Sequence, residues 1–236
     1  MTGVQEPHRE TFVLGSASPR RRKLVERLGV PFEFRVAREV DESAVRDAAR
    51  ELVRELARQK AEAVLREGIA EGEGLHWTVL GADTVVAIGP TAADVLGKPA
   101  DEDDARSMLR RLSGRSHHVY SGIAVARAER ATETEVEVTE VRFRSLSETE
   151  VAAYVASGEA LGKAGAYAIQ GQGATLVEAI SGCYYNVVGL PLVRTATLLG
   201  LSFQCECGQN EHQCGSSGCG ARSFAYPENP GAPGTP

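Results

Sequence analysis

Four cations at the start of a helix and one acid inside a strand stand out in this sequence of 236 residues. In "GSASPRRRKL" (15–24) Ser18 reads as an N-cap and Pro19 as the first helical residue. Arg20, Arg21, Arg22 and Lys23 would then fill the first turn. A cation there opposes the helix dipole by roughly 0.3–1 kcal/mol at low salt. An anion seated at that end would offset the cost. A strand, a small-residue loop and a helix N-terminus together form a cradle for one, and Ser16 and Ser18 add hydroxyl donors. The alternative is a solvated helix start carrying ordinary surface arginines.

In "GADTVV" Asp83 lies inside the strongest strand signal of the chain. A buried, unpaired carboxylate is costly, so Asp83 needs a partner or a cleft. Its functional reading is a general base or metal ligand, and its structural reading half of an ion pair. Lysine is scarce: only Lys23, Lys60, Lys98 and Lys163 stand among 26 basic residues. An ammonium is a compact phosphate ligand. Lys60 in "ARQKAEA" and Lys98 in "LGKPAD", taken with Asp83 and the arginines, outline a phosphate-and-metal site. Asp41 and Glu42 in "VDES" precede a long helix and suit its dipole. "KAGAYAIQGQGA" (163–174) is Gly-rich but is neither a dinucleotide fingerprint nor a P-loop. Its Gln170 carries an amide that both donates to and accepts from a base edge.

The elements that must hold these groups follow from periodicity. "TFVLGS" (11–16) reads as a buried strand, 19–28 as a helix stopped by Gly29, and 32–36 as an alternating strand. Val45, Leu52, Leu56, Ala57 and Val64 mark a long amphipathic helix over 43–67. Residues 78–89 read as a strand interrupted at "GAD". A helix is expected over 101–114, strands over 118–128 and 133–146, and a helix over 148–156 behind the capping box "SETE". A strand over 174–180 and a closing helix over 190–200 follow, with "YYNVVGLP" (184–191) lining the cleft or packing in the core. This alternation, with several adjacent antiparallel strands, predicts an α/β fold with a mixed sheet.

The formal charge of −6 argues against nucleic acid or an anionic membrane as partner, and leaves a small, concentrated anion. The N-terminus has no apolar signal region, and no apolar run approaches the roughly 20 residues of a membrane span, so a cytoplasmic protein is expected. Cys205, Cys207, Cys214 and Cys219 crowd the last 32 residues, with His212 among them. That distribution excludes a disulfide framework for the whole fold, and the spacing is not that of a standard zinc site. The expected division is a leader over 1–10, a domain over 11–201, and a Cys/Gly/Pro-rich tail over 202–236 too poor in aliphatic residues to fold alone.

In this order, "GSASPRRRKLVERLGVPFE", "VDES", "ARQKAEAV", "VLGADTVV", "LGKPAD", "MLRRLSGRSHHVYSG", "YVASGE", "KAGAYAIQG" and "YYNVVGLPL" resemble the Maf family of nucleoside triphosphate pyrophosphatases. The resemblance spans roughly residues 11–200. It implies a two-lobed Maf/ITPase-like α/β fold, with a long mixed sheet flanked by helices and a central cleft. The implied reaction cleaves a nucleoside triphosphate between its α- and β-phosphates, with a divalent cation, Mg²⁺ or Mn²⁺. Carried over by position, Asp83 is the implied proton acceptor, and Glu42 and Asp83 the metal ligands. Ser16, Arg20, Arg21, Lys60 and Lys98 are the implied triphosphate ligands. Arg20, Thr84 and Gln170 match the branch acting on dTTP and UTP, to which modified pyrimidine triphosphates are chemically close. The chain departs from the family at Gly162, Cys183 and Ser121, where an acid, Asp or Ser, and Thr are usual. A homodimer is compatible with the family. A second reading is a nucleotide-binding regulator of cell division without essential catalysis. A third makes the tail a metal-binding interaction module.

Overall fold

The computed structural model describes residues 10–38, 40, 48–89 and 94–203. Its centre is a seven-stranded mixed sheet in the order β2-β1-β3-β5-β6-β7, with β4 also on β3. The strands are β1 (Thr11–Gly15), β2 (Phe32–Arg35), β3 (Trp77–Ile88), β4 (Asp94–Leu96), β5 (Ser116–Arg127), β6 (Glu133–Phe143) and β7 (Val177–Ser181). The helices are α1 (Pro19–Val25), α2 (Ala49–Ala70), α3 (Glu102–Leu112), α4 (Glu148–Ala156), α5 (Tyr184–Val188) and α6 (Leu192–Leu199). β1 runs parallel to β2 and β3, and the remaining pairs are antiparallel. The expected α/β class with a mixed sheet is therefore what the chain adopts.

β3 is the axis of the molecule. Its alternate residues feed two faces. Val79, Val85 and Ala87 meet α2, while Leu80, Ala82 and Val86 meet the helices opposite. On that second face two core clusters form. One joins α1 and α6 through Leu14, Leu80, Ile123, Leu190 and Leu192. The other joins α3 and α4 through Val86, Leu109, Leu112, Phe143 and Tyr154. These clusters are the two lobes that flank the cleft.

The "GAD" segment does not interrupt β3, contrary to the sequence reading. β3 and β5 keep one register from Thr78↔Arg127 to Ala87↔His118. Gly81 answers to α2 instead: a Cβ there would lie 2.3 Å from the Ala57 carbonyl oxygen. Gly122, opposite Asp83 on β5, is tighter still, with a Cβ falling 2.0 Å from the Val53 carbonyl oxygen. These glycines, Gly81 facing Ala57 and Ala61 and Gly122 facing Val53, let α2 lie almost on the sheet backbone.

Helix α1 is shorter than its predicted span. It ends at Val25 and tightens into a 3-10 turn over Glu26–Leu28, which Gly29 closes with φ 74°. In so short a helix Arg22 and Lys23 fall in the last turn, where the dipole favours cations. Only Arg20 and Arg21 remain at the unfavourable end. The capping box at Ser147 and Glu150 and the helix it opens stand as read. β4 and α5, three and five residues long, have no counterpart in the sequence reading. The expected strand over 174–180 begins at Val177, after a 3-10 segment over Gly171–Leu176. Among the described residues no helix is long and apolar enough to cross a membrane.

Candidate active site

A cavity of about 540 Å³ opens between the two lobes. It is lined by Ser16, Arg20, Arg21, Lys60, Asp83, Thr84, Lys98 and Gln170, among others. Those eight, distributed over 155 positions of sequence, are the candidate residues that the description reaches. Asp41 and Glu42, and with them the implied second metal ligand, lie outside the described residues, as do the tail cysteines and His212.

Strand topology places the acid. Asp83 and Gly81 point to the α2 side of β3, and α2 lies close because Gly81 and Gly122 admit it. That approach brings Lys60 to Asp83. The Lys60 Nζ donates to Asp83 Oδ1 at 2.5 Å, with the two side chains 18% and 15% exposed. Asp83 Oδ2 has no hydrogen bond to any other described residue, so one oxygen is held and the other is available to the cavity. The sequence reading left Asp83 a choice between an ion pair and a cleft; it has both.

Thr84 points the other way. Its Oγ1 lies 2.8 Å from Ser121 Oγ on β5 and accepts from Arg21 Nη2 at 2.9 Å. Ser121 donates in turn to the Asn186 carbonyl at 3.4 Å. Ser121, one of the departures from the family pattern, thus supports Thr84 from below. Gly162, another departure, lines the cavity with φ 70°, a conformation that suits glycine. Cys183 is buried and stands at the N-cap position of α5.

The cations differ in their commitments. Arg21 is engaged with protein acceptors on two segments, β3 and the turn at Gly189. Arg20 makes no hydrogen bond or ion pair with a described residue, and burial lowers its pKa below the usual guanidinium value. Lys163 was singled out only as a rare lysine, yet it lines the same cavity. Its one hydrogen bond is to the Leu161 carbonyl at 3.3 Å. Burial first, then repulsion from Arg20, lowers its pKa. Lys98 is exposed at the rim and unpaired among the described residues. Five basic side chains thus face one carboxylate among the described lining residues. A pocket so charged is complementary to a polyanion.

The loop that carries Lys163 and Gln170 is anchored from beneath. Tyr167 is among the lining residues, and its hydroxyl lies 2.8 Å from Nε2 of His117, which is wholly buried on β5. Phe143 completes the group, its ring 5.0 Å from His117 and 4.8 Å from Tyr167, both edge-on. Burial, aided by neighbouring His118, pushes the His117 pKa down to about 3, so the ring is neutral. The Gly165 N–H donates to the Gly97 carbonyl at 3.0 Å and ties this loop to the one bearing Lys98. Sequence reasoning missed the anchor. Its only trace was the position of "HHVYSG" and "YAIQG" among the quoted stretches.

Among the described residues no three His, Cys, Asp or Glu side chains come together as a metal cluster. Among the described residues the cavity lining offers Asp83 as its one anionic oxygen donor and no Cys or His. Such a set fits Mg²⁺ or Mn²⁺, which are bound through one or two carboxylates together with substrate phosphates.

The family model described as Maf-like protein matches residues 11–201. A dTTP/UTP pyrophosphatase of Symbiobacterium thermophilum is 48% identical over 192 residues, 80% of this chain and 93% of that relative. One of Moorella thermoacetica is 50% identical over 191 residues, 80% of this chain and 94% of the relative. Among solved structures, the Ham1 protein of Staphylococcus aureus aligns with 57% of this chain and 72% of its own, at 14% identity and a TM-score of 0.41.

Proposed function

The chain belongs to the Maf family, and from that premise we propose that it hydrolyses dTTP and UTP to the nucleoside monophosphate and pyrophosphate. The observation that carries this reading is the single carboxylate of Asp83 among the described lining residues of a cavity with five cations, of which Arg20, Lys98 and Lys163 form no ion pair with a described residue. Modified pyrimidine triphosphates belong to the same substrate class. The setting of such a reaction is the soluble nucleotide pool, which supports a cytoplasmic location.

In this reading Ser16, Arg20, Lys98 and Lys163 bind the triphosphate oxygens at the α1 N-terminus and the facing loops. They neutralise charge that grows on the non-bridging and leaving oxygens during phosphoryl transfer. Lys60 holds Oδ1 of Asp83 and fixes the carboxylate plane. The free Oδ2 takes a proton from the water that attacks the α-phosphorus. The bond from that phosphorus to the oxygen bridging the β-phosphate breaks, and pyrophosphate leaves with the electron pair. A bound Mg²⁺ or Mn²⁺ would neutralise phosphate charge, held by Asp83 and, on the family pattern, Glu42. Gln170, whose amide has no bond to another described residue, presents a donor and an acceptor to the pyrimidine edge.

The test is a panel of nucleoside triphosphates with Mg²⁺ or Mn²⁺, pyrophosphate and orthophosphate being measured separately. Pyrophosphate from dTTP and UTP, reduced at least about 10²-fold by Asp83→Asn with nucleotide binding retained, is expected. Pyrophosphate from purine triphosphates alone would overturn the substrate assignment. Tight binding with no hydrolysis of any nucleotide would overturn the enzyme in favour of a regulator.

A further inference from the structure

β3 has a break along one edge. β1 pairs with it as far as Gly15↔Gly81, and β4 takes over at Val86↔Leu96. Between them Ala82, Asp83, Thr84 and Val85 have no strand beside them on that edge among the described residues. Backbone groups left without a ladder are free to hydrate and to move. Yet the acid of the site stands in the middle of this gap.

What lies in the gap is the guanidinium of Arg21. Nη1 donates to the Ala82 carbonyl at 2.9 Å, one residue before Asp83. Nη2 donates to Thr84 Oγ1 at 2.9 Å, one residue after it. Nε donates to the Gly189 carbonyl at 2.9 Å, and Nη1 reaches Ser16 Oγ at 3.4 Å. A guanidinium has five N–H donors, and four of these are directed at protein acceptors. Arg20, its neighbour, directs none at a described residue. Two adjacent arginines at one helix start are thus in opposite conditions.

We propose that Arg21 is a positioning residue that substitutes for the missing strand, clamping β3 on either side of Asp83, while Arg20 is the ligand of the triphosphate. The inference rests on the pyrophosphatase reading and refines it. Arg21 acts on hydrolysis through the placement of Asp83, and Arg20 acts through the phosphates. The distinction follows from donor geometry. Three separate guanidinium nitrogens reach the Ala82 carbonyl, the Thr84 hydroxyl and the Gly189 carbonyl at once, which the single nitrogen of an ammonium does not reproduce, whereas either group can hold a phosphate by charge.

Arg21→Lys and Arg20→Ala separate the roles when three quantities are measured: affinity for inorganic tripolyphosphate by calorimetry, kcat and KM for dTTP, and amide exchange at residues 82–85. For Arg21→Lys the expected result is tripolyphosphate affinity within about 3-fold of wild type, kcat lower by about 10²-fold, KM little changed and faster exchange at 82–85. For Arg20→Ala, tripolyphosphate affinity should weaken at least about 10-fold with exchange unchanged. The proposal is overturned if Arg21→Lys weakens tripolyphosphate as much as Arg20→Ala does while kcat at saturation and exchange stay at wild-type values. If Arg21→Lys does not fold, Thr84→Val removes one clamped acceptor and keeps every charge. It should lower kcat with tripolyphosphate affinity retained, and an unchanged kcat would equally overturn the clamp. Hydrolysis of no triphosphate by the wild type would overturn the pyrophosphatase reading alone, since the binding and exchange measurements decide Arg21 without turnover.

Discussion

Acid should weaken this protein through His117, and the surroundings of that residue set the amount. The ring has no exposed surface, one nitrogen bonded to Tyr167 and the other, Nδ1, without a partner. Burial first and His118 second move its pKa from 6.5 to about 3. The folded chain therefore keeps His117 neutral at a pH where the unfolded chain protonates it. Stability from this residue is complete above about pH 6.5, declines as pH falls and is exhausted near pH 3. Integrating the linkage relation from pH 7 to pH 5 gives a loss of about 2 kcal/mol. For a domain of this size that lowers Tm by about 4–8 °C. The assay is thermal unfolding of the wild type and His117→Phe at both pH values. Phenylalanine keeps an aromatic ring against Phe143 but cannot titrate. The variant orphans the Tyr167 hydroxyl, at a cost of about 1–3 kcal/mol that is the same at both pH values. Exposed carboxylates titrate alike in the two proteins and cancel. The quantity to compare is the slope, which should be shallower in the variant by the stated amount. Parallel curves would refute the account of a buried, neutral histidine.

Two further outcomes rest on the packing around Asp83 and a third on the end of the domain. Gly122→Ala sets a methyl against the Val53 carbonyl and must push α2 off the sheet, so urea unfolding should show a loss of about 1–3 kcal/mol, with weaker hydrolysis as Lys60 withdraws. Lys60→Met frees the oxygen that orients Asp83 and should lower kcat about 10²-fold; Lys60→Arg should not restore it, because a fork cannot occupy the place of a single ammonium. A chain ending at Phe203 should retain full hydrolysis, since the family match ends at 201 and Leu201 and Phe203 still pack on the α1–α6 core. Steady-state kinetics of the truncated protein, with zinc content measured before and after truncation, test both the domain boundary and the metal-binding reading of the tail.

Part of the candidate site was legible because its charged residues offended a local rule, whereas Thr84 and Glu42 were legible only through the family resemblance. An acid stood in an apolar strand, cations stood at the positive end of a helix, and rare lysines stood in a loop (Lys98) and in a helix otherwise basic through arginine (Lys60). What they do to one another was not legible, because it runs through backbone atoms that no residue pattern marks. Arg21 reads as a phosphate ligand beside Arg20, but its acceptors are carbonyls 61 and 168 positions away. The Gly in "GAD" reads as a break because glycine weakens a strand, and only the proximity of α2 shows that β3 requires it. His117 and Tyr167, 50 residues apart, meet only in the fold.

The place of Arg21 has an origin that is also why the site lies where it does. Were β1 to continue past Gly81, or β4 to begin before Val86, a strand would occupy the space beside Asp83. The backbone there would be satisfied by a ladder, and neither a triphosphate nor Arg21 could enter. Two short strands sharing one edge of β3 leave a space wide enough for a ligand. That space makes the backbone on either side of the acid dependent on a side chain for its position. Access and order at Asp83 are thus set by the same four residues, 82–85, and a substitution that improves one at that edge is expected to cost the other.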